Sequence, residues 1–210
     1  MTRRIRLKAK LQPTQARAQD TYEVILATAG EMLRDQGFEQ LTTNAICQRA
    51  GLTPPALYRY FPNKYAILKE LGDRLMAAQD EEMRAWIEGG GLADATFGDR
   101  LASAVAIQKR MAEITRAFPG GAAIGRALRA VPMLQKLRFA SRDMVAGELA
   151  HAVAPLYPRV DPARLGIAAR MLVELSYSAT EMMVEEPDRD TDALAEEVCR
   201  MFILYFDHLS

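Results

Sequence analysis

Apolar residues recur at three- and four-residue spacing along nearly the whole chain, and no convincing period-two alternation interrupts them. The pattern predicts an all-α protein. Tyr22, Ile25, Leu26, Ala29 and Leu33 form a helical stripe over 14–36, which Gly37 stops. Thr42 and Thr43 stand ahead of Ile46 and Cys47 as N-cap residues of a short helix that Ala50-Gly51 ends. Thr53 caps a second short helix with Pro54 and Pro55 in its first turn, where a missing N–H costs nothing. Leu57 and Phe61, four apart, point inward and leave Tyr58, Arg59 and Tyr60 directed elsewhere. Asn63 caps a long helix reaching about Ile87, with Ile67, Leu68, Leu71, Leu75 and Met76 as its inner face. Gly89-Gly90-Gly91 is the clearest break. Helical patterns follow over 97–118, 122–130, 131–154, 162–184 and 191–208, punctuated by Pro119-Gly120-Gly121 and by Pro155, Pro158 and Pro162.

Composition narrows the class. Half of the 210 residues are apolar and 26% are charged, as in an ordinary globular protein. No window approaches a membrane span, and the basic N-terminus lacks the apolar core of a secretory signal. Cys47 and Cys199 sit in helical patterns far apart and read as small buried hydrophobes of a reducing compartment, so cytoplasmic residence is expected. Net charge is zero but unevenly spread. Residues 1–74 hold 12 Lys and Arg against 7 Asp and Glu, a net +5, and the remainder is −5. A basic N-terminal third suits a DNA-reading end joined to a body with another task.

The organising stretch is Leu41 to Lys64, LTTNAICQRAGLTPPALYRYFPNK. Two short helices about a Gly-containing turn, with Tyr, Arg and Tyr on the second, describe a helix-turn-helix. With the preceding run to Gly37 and the alternation Leu57-Tyr58-x-Tyr60-Phe61-x-x-Lys64, the stretch resembles the TetR (tetracycline-repressor-like) family of bacterial regulators over roughly residues 15 to 75. The resemblance implies a basic arm over 1–13, a DNA-binding domain over 14–74, and an effector-binding and dimerisation domain over 75–210. It implies no cofactor and no membrane. The partners it implies are a palindromic DNA operator, a small-molecule effector and a second copy of the chain. The expected function is that of a ligand-responsive repressor rather than an enzyme. The alternative is an all-α small-molecule-binding protein or enzyme whose N-terminal unit is merely structural.

Candidate residues follow. Tyr58, Tyr60 and Lys64 are expected at phosphates, with Thr42 and Thr43 as further hydroxyl donors; Lys64 in a first helical turn opposes the macrodipole, which an arriving phosphate would reverse. Arg59 and Asn44 carry the chemistry to read guanine and adenine. Thr53, Pro54, Pro55 and Ala56 complete the presented helix start; the last three have no side-chain donor, a departure from the family's pattern that leaves thymine-methyl contact or shape readout there. The arm, with Arg3, Arg4, Arg6, Lys8 and Lys10, reads equally as a flexible tail or a phosphate contact.

The last two helices carry more apolar surface than one neighbour covers, so Leu172, Leu175, Ala179, Met183, Val198, Met201, Phe202 and Tyr205 are expected at a four-helix dimer interface. An effector pocket is expected among Trp86, Met111, Phe118, Met133, Met144, Met171 and Tyr177, in a chain with 11 Met residues. Few charges fall on these stripes, so a largely apolar effector is expected. The acidic run 185–192 is not a calcium loop: Ala193 occupies the turn-glycine position and Cys199 the closing glutamate position. It reads as a solvated loop that caps the last helix. His151 and His208 are far apart, and no nucleophile, phosphate-loop or metal-ligand spacing is present.

Overall fold

The computed structural model describes residues 5–11, 16–91, 96–186 and 188–209. Within them the chain is helical, with no strand: α1 Ala16–Gln40, α2 Thr43–Ala50, α3 Pro54–Tyr60, α4 Lys64–Glu88, α5 Phe97–Ala117, α6 Gly121–Ala130, α7 Gln135–Val153, α8 Pro162–Glu185 and α9 Thr191–Asp207. Short 3-10 turns at Pro132–Leu134 and Ala154–Leu156 bracket α7. These elements form two compact units, one built from residues up to Leu75 with Arg116–Gln135, the other from Met76–Thr115 with Lys136 onward. Residues 116–135 thus join the N-terminal unit, a grouping that a single division at residue 74 does not contain.

In the first unit the predicted stripe of α1, Tyr22, Ile25, Leu26, Ala29 and Leu33, is buried, as are Ile46, Leu57, Phe61, Ile67 and Leu68. Gly37 breaks the helical backbone with φ 77° and ψ 177°, and one more turn carries the chain to Gln40. The Tyr22 ring stacks on Phe61 at 4.8 Å and meets Tyr60 edge-on at 5.8 Å. Arg49 pairs with Asp35 at 2.9 Å, and Arg74 grips both oxygens of Glu23 at 2.6 and 2.8 Å. Part of the basic arm is tied down. The Lys10 N–H donates to the Tyr60 carbonyl at 2.6 Å, and the Asn63 amide donates to the Arg6 carbonyl at 2.8 Å. Arg3 and Arg4 lie outside the described residues.

The α6 turn approaches α1 so closely that only glycine fits. A methyl group on Gly30 would lie 2.6 Å from the Pro119 carbonyl oxygen, and one on Gly120 would lie 2.4 Å from the Gly30 carbonyl oxygen. Gly120 also sits at φ 74°, where L side chains are strained.

In the second unit Val145, Leu149, Val153, Leu165, Val173 and Phe206 form the main core. Met183 packs with Ala112 and Ala195 in a smaller one. Asp161 caps α8 through the Arg164 N–H, and Asp190 caps α9 through the N–H groups of Asp192 and Ala193 at 3.1 and 3.0 Å. The acidic run therefore does the capping expected of it, with Pro187 outside the described residues. Arg142 is buried, ion-paired with Glu174 and stacked 4.4 Å above the Tyr177 ring.

Gly30→Ala tests the α1–α6 contact. The added methyl meets backbone rather than a movable side chain, so the variant is expected to lose about 1–3 kcal/mol in a urea melt, as overpacking does. Gly125→Ala, where an added methyl meets nothing, is the control, expected to be neutral or slightly stabilising.

Candidate nucleic-acid interface and effector cavity

The helix-turn-helix is fixed by local chemistry. Thr42 is extended, and its hydroxyl oxygen accepts the Ala45 N–H at 3.1 Å, which leaves its proton free to donate outward. Gly51, at φ 66°, turns the chain left-handed so that its N–H and that of Leu52 both reach the Cys47 carbonyl. Thr53 heads α3 without a side-chain cap bond, contrary to expectation. The reason is its neighbours: Pro55 has no N–H to offer, and the Ala56 N–H already goes to the Thr53 carbonyl at 3.0 Å. The Thr53 hydroxyl is thus left exposed with no cap bond to make.

The register of α3 decides what is presented. Leu57, Tyr60 and Phe61, at i, i+3 and i+4, are all buried. Tyr60, expected on the DNA-facing surface, is therefore a core residue, only 3% exposed and packed edge-on against Tyr22. Tyr58 is 40% exposed, and its hydroxyl lies 3.0 Å from that of Thr43, which joins the start of α2 to α3. Arg59 is exposed and makes no ion pair among the described residues, with its guanidinium 5.9 Å from the Tyr60 ring centroid. Asn44, Pro54 and Pro55 are exposed, and Ala56 is half-buried.

Lys64 is partly covered. Its Nζ sits 4.2 Å above the Phe38 ring and donates to the Phe38 carbonyl over 3.4 Å, a long and weak bond that a phosphate can displace. Lys10 Nζ donates to the Tyr58 carbonyl at 3.0 Å. The face that survives is Thr42, Asn44, Thr53, Pro54, Pro55, Tyr58 and Arg59, with Thr43, Ala56 and Lys64 at its edge.

The second unit holds a partly open cavity of about 140 Å³, lined from α4, α5, α7, α8 and α9. Its walls are chiefly apolar, and Trp86, Met111 and Tyr177 line it as expected. The other four candidates do not. Met144 and Met171 are exposed on the outer faces of α7 and α8, and Phe118 and Met133 fall in the stretch that belongs to the first unit. Leu172 and Phe202, expected at a dimer interface, line the cavity instead. Ala179 and Met183, expected there too, are buried within the subunit because they lie on the inner stripe of α8. Val198 is half-buried, whereas Leu175, Met201 and Tyr205 are exposed. They extend into an outer apolar face with Ile167, Met171, Met182 and Leu204.

Part of the wall is polar, which the apolar stripes of the sequence do not indicate. Gln79 donates to the Thr115 hydroxyl at 2.9 Å, and Gln108 donates to the Ser176 carbonyl and the Thr180 hydroxyl at 3.1 and 2.9 Å. The Trp86 indole N–H is fixed on Ser103 at 2.9 Å. Arg100 grips Asp207 through two bonds of 2.7 and 2.8 Å, which hold that carboxyl below its usual range. Asp80 is 8% exposed, and the Ser141 hydroxyl lies 3.3 Å from each of its oxygens. Burial pushes its pKa up to about 6, with Glu148 adding to the rise and Ser141 and Arg84 opposing it. Burial and the neighbouring Asp80 charge likewise raise the Tyr177 hydroxyl to about 12. Cys199, also in the wall, is a buried free thiol pushed up to about 12 by burial, and so inert at neutral pH.

A carboxyl whose folded pKa is raised destabilises the fold when ionised. The cost is present in full above pH 6 and falls away between 6 and the ordinary carboxylate range near 4, where the unfolded chain also takes up the proton. Asp80→Asn is therefore expected to raise the melting temperature at pH 7.5, by the equivalent of on the order of 2–3 kcal/mol. The gain should shrink on lowering the pH through 5 toward 4, and melting curves across that range check both sign and window.

Among the described residues no cluster of His, Cys, Asp or Glu could hold a metal ion, and no helix is long and apolar enough to cross a membrane. The family model described as "Bacterial regulatory proteins, tetR family" matches residues 25–71, from the middle of α1 into α4. The chain is 35% identical over 75 residues to the class C tetracycline repressor protein of Escherichia coli, covering 32% of this chain and 34% of the repressor. It is 36% identical over 61 residues to the HTH-type transcriptional regulator EthR of Mycolicibacterium smegmatis, covering 29% and 28%. The match thus spans about a third of the length of these curated relatives. Similarity in fold extends much further. A TetR-family regulator from Streptomyces coelicolor superposes with a TM-score of 0.64 at 17% identity, over 90% of this chain and 81% of that one. The SmeT–triclosan complex gives 0.66 at 22% identity, over 89% and 91%. NalD, the secondary repressor of the MexAB-OprM multidrug efflux pump in Pseudomonas aeruginosa, gives 0.64 at 18%, over 90% and 97%. Residues 25–71 of this chain thus carry the helix-turn-helix domain of the bacterial regulatory proteins of the tetR family, within an all-helical fold like that of solved TetR-family regulators.

Proposed function

We propose that the protein is a ligand-responsive transcriptional regulator of the cytoplasm, a homodimeric repressor that a small, largely apolar effector releases from a palindromic operator. The observation that carries the reading is the outward pair Tyr58 and Arg59 on a family-matched helix-turn-helix, beside the exposed Asn44 and the uncommitted hydroxyl of Thr53. In this reading Tyr58, Thr42, Thr43 and Lys64 meet phosphates, and Arg59 and Asn44 meet base edges. Residues 1–13 form the arm, 14–74 the DNA-binding domain, and 75–210 the effector and dimerisation body. The α6 stretch, although numbered within that body, works with the DNA-binding unit it packs on.

The effector site is the cavity. α4 gives Ile67, Leu68 and Leu71 to the core of the first unit, and Gln79, Asp80, Met83 and Trp86 to the cavity wall. A ligand that fits the wall in only one setting of α4 therefore biases the helix that also anchors the helix-turn-helix. To lower operator affinity 100-fold, it must prefer the non-binding conformation by about 2.7 kcal/mol. That SmeT is seen with triclosan supports a small aryl effector here. The outer face of α8 and α9, with Ile167 68%, Met171 55% and Met201 55% exposed, is what a second copy would cover. Two-fold symmetry would set the recognition helices one DNA turn apart, ~34–36 Å, or slightly more.

Two measurements test this. In a gel shift on the DNA upstream of the protein's own gene, Tyr58→Ala/Arg59→Ala should lose about 1–3 kcal/mol of binding or more, and wild-type affinity should fall steeply with salt. Unchanged binding by the variant, or indifference to salt, would return the N-terminal unit to a structural role. In sedimentation, Met171→Glu/Met201→Glu should give monomers that no longer shift the operator. A variant that keeps the dimer mass would place the interface elsewhere.

A further inference from the structure

We propose that the cavity selects a lipophilic amine, with an aryl or alkyl-aryl body in the apolar chamber and a protonated amine against the Asp80 carboxylate. The proposal rests on the reading of this cavity as the effector site, and it names the chemical class that the site takes.

Among the described residues, two charged side chains line the cavity, Arg100 and Asp80. Arg100 is answered within the fold by both oxygens of Asp207. Asp80 is answered by a hydroxyl, and one hydroxyl proton can serve only one of its two oxygens at a time. The cation that acts on it, Arg84, is engaged with other acids, Glu81 at 3.0 Å and Glu148 at 3.7 Å. A buried carboxylate without a cation is costly, and a cation arriving in the cavity removes that cost. The aromatic walls help, since ring faces such as those of Trp86 and Tyr177 attract a desolvated ammonium.

Charge also sets what is refused. A carboxylate ligand would place like charges together beside a buried acid, and a neutral ligand leaves Asp80 as costly as before. Volume sets the size. The cavity of about 140 Å³ is close to the ~150 Å³ engineered cavity that holds benzene, so one ring with a short arm fits before any opening.

The test uses the full-length chain at pH 7.5 with three isosteric probes: 4-methylbenzylamine, 4-methylbenzyl alcohol and 4-methylbenzoate. Trp86 is the only tryptophan in the sequence and lies in the cavity wall, so its emission reports entry, with calorimetry for affinity. The wild type should bind the amine at least about tenfold more tightly than the alcohol, since close buried charge pairs couple by roughly 1.5 kcal/mol or more, and the benzoate should bind weakest. In Asp80→Asn the amine's advantage should vanish while the alcohol stays within about threefold of wild type. Ser141→Ala keeps the carboxylate and should keep the preference, which guards against an Asp80→Asn chain that misfolds. Equal binding of amine and alcohol by the wild type, or an amine preference that survives Asp80→Asn, overturns the amine assignment and leaves the effector cavity standing. If neither the amine nor the alcohol alters Trp86 emission, the cavity reading falls and the amine assignment falls with it.

Discussion

The inward register of α3 constrains everything the N-terminal unit presents. Leu57, Tyr60 and Phe61 must all reach the α1 stripe, where Tyr22 stacks on one aromatic ring and meets another edge-on. Committing i and i+3 of a seven-residue helix to the core, together with the Phe61 that ends it, leaves i+1 and i+2 directed outward. The exposure of Tyr58 and Arg59 is therefore a consequence of core packing rather than a separate feature of the surface. The two prolines serve the same end at the other end of α3. They fix the first turn, and because Pro55 lacks an N–H and that of Ala56 goes to the Thr53 carbonyl, the Thr53 hydroxyl is left uncommitted.

A second constraint falls on α4, whose 25 residues supply two cores in succession. Its first half is apolar where it faces inward, at Ile67, Leu68 and Leu71. Its second half continues the same stripe through Met76, Gln79, Asp80 and Met83, and there the buried positions turn polar. The polar pair does different work. Gln79 is satisfied by Thr115, whereas Asp80 remains a carboxyl that burial makes hard to ionise. Stability alone would favour an apolar side chain at such a site.

What the sequence made legible was what is local. Caps, prolines and glycines that lie next to one another specify the helices and their ends, and the motif from Leu41 to Lys64 needs only its own neighbours to be recognised. Tyr60 departs from its expected outward place because i+3 from Leu57 lies on the same face as the i+4 position of Phe61. On α8 both stripes are apolar, so periodicity could not tell Leu172, Ala179 and Met183, which turn inward, from Ile167, Met171 and Leu175, which turn out. The cavity was legible only in part, because five helices spread over more than a hundred residues converge on it. Asp80 was hidden by its context. In Gln79-Asp80-Glu81-Glu82 it reads as one more charge on a solvated face, although its spacing from Met76 and Met83 already put it on the inner stripe.

The position of that acid also bears on how a signal could leave the cavity. A ligand changes a conformational equilibrium only through a difference in free energy between two states. An apolar effector obtains that difference from fit, spread over every wall of the cavity. A cationic effector obtains much of it from one pairing, and here the partner is carried by α4, the helix that also anchors the helix-turn-helix. The energetic difference between the free and bound states would then be concentrated on one side chain, about four turns from Lys64 at the start of that helix. On the amine proposal, the residue that most penalises the empty cavity is thus also well placed to set the position of α4 once a ligand relieves the penalty. Selectivity for the ligand and coupling to DNA would share a single physical origin.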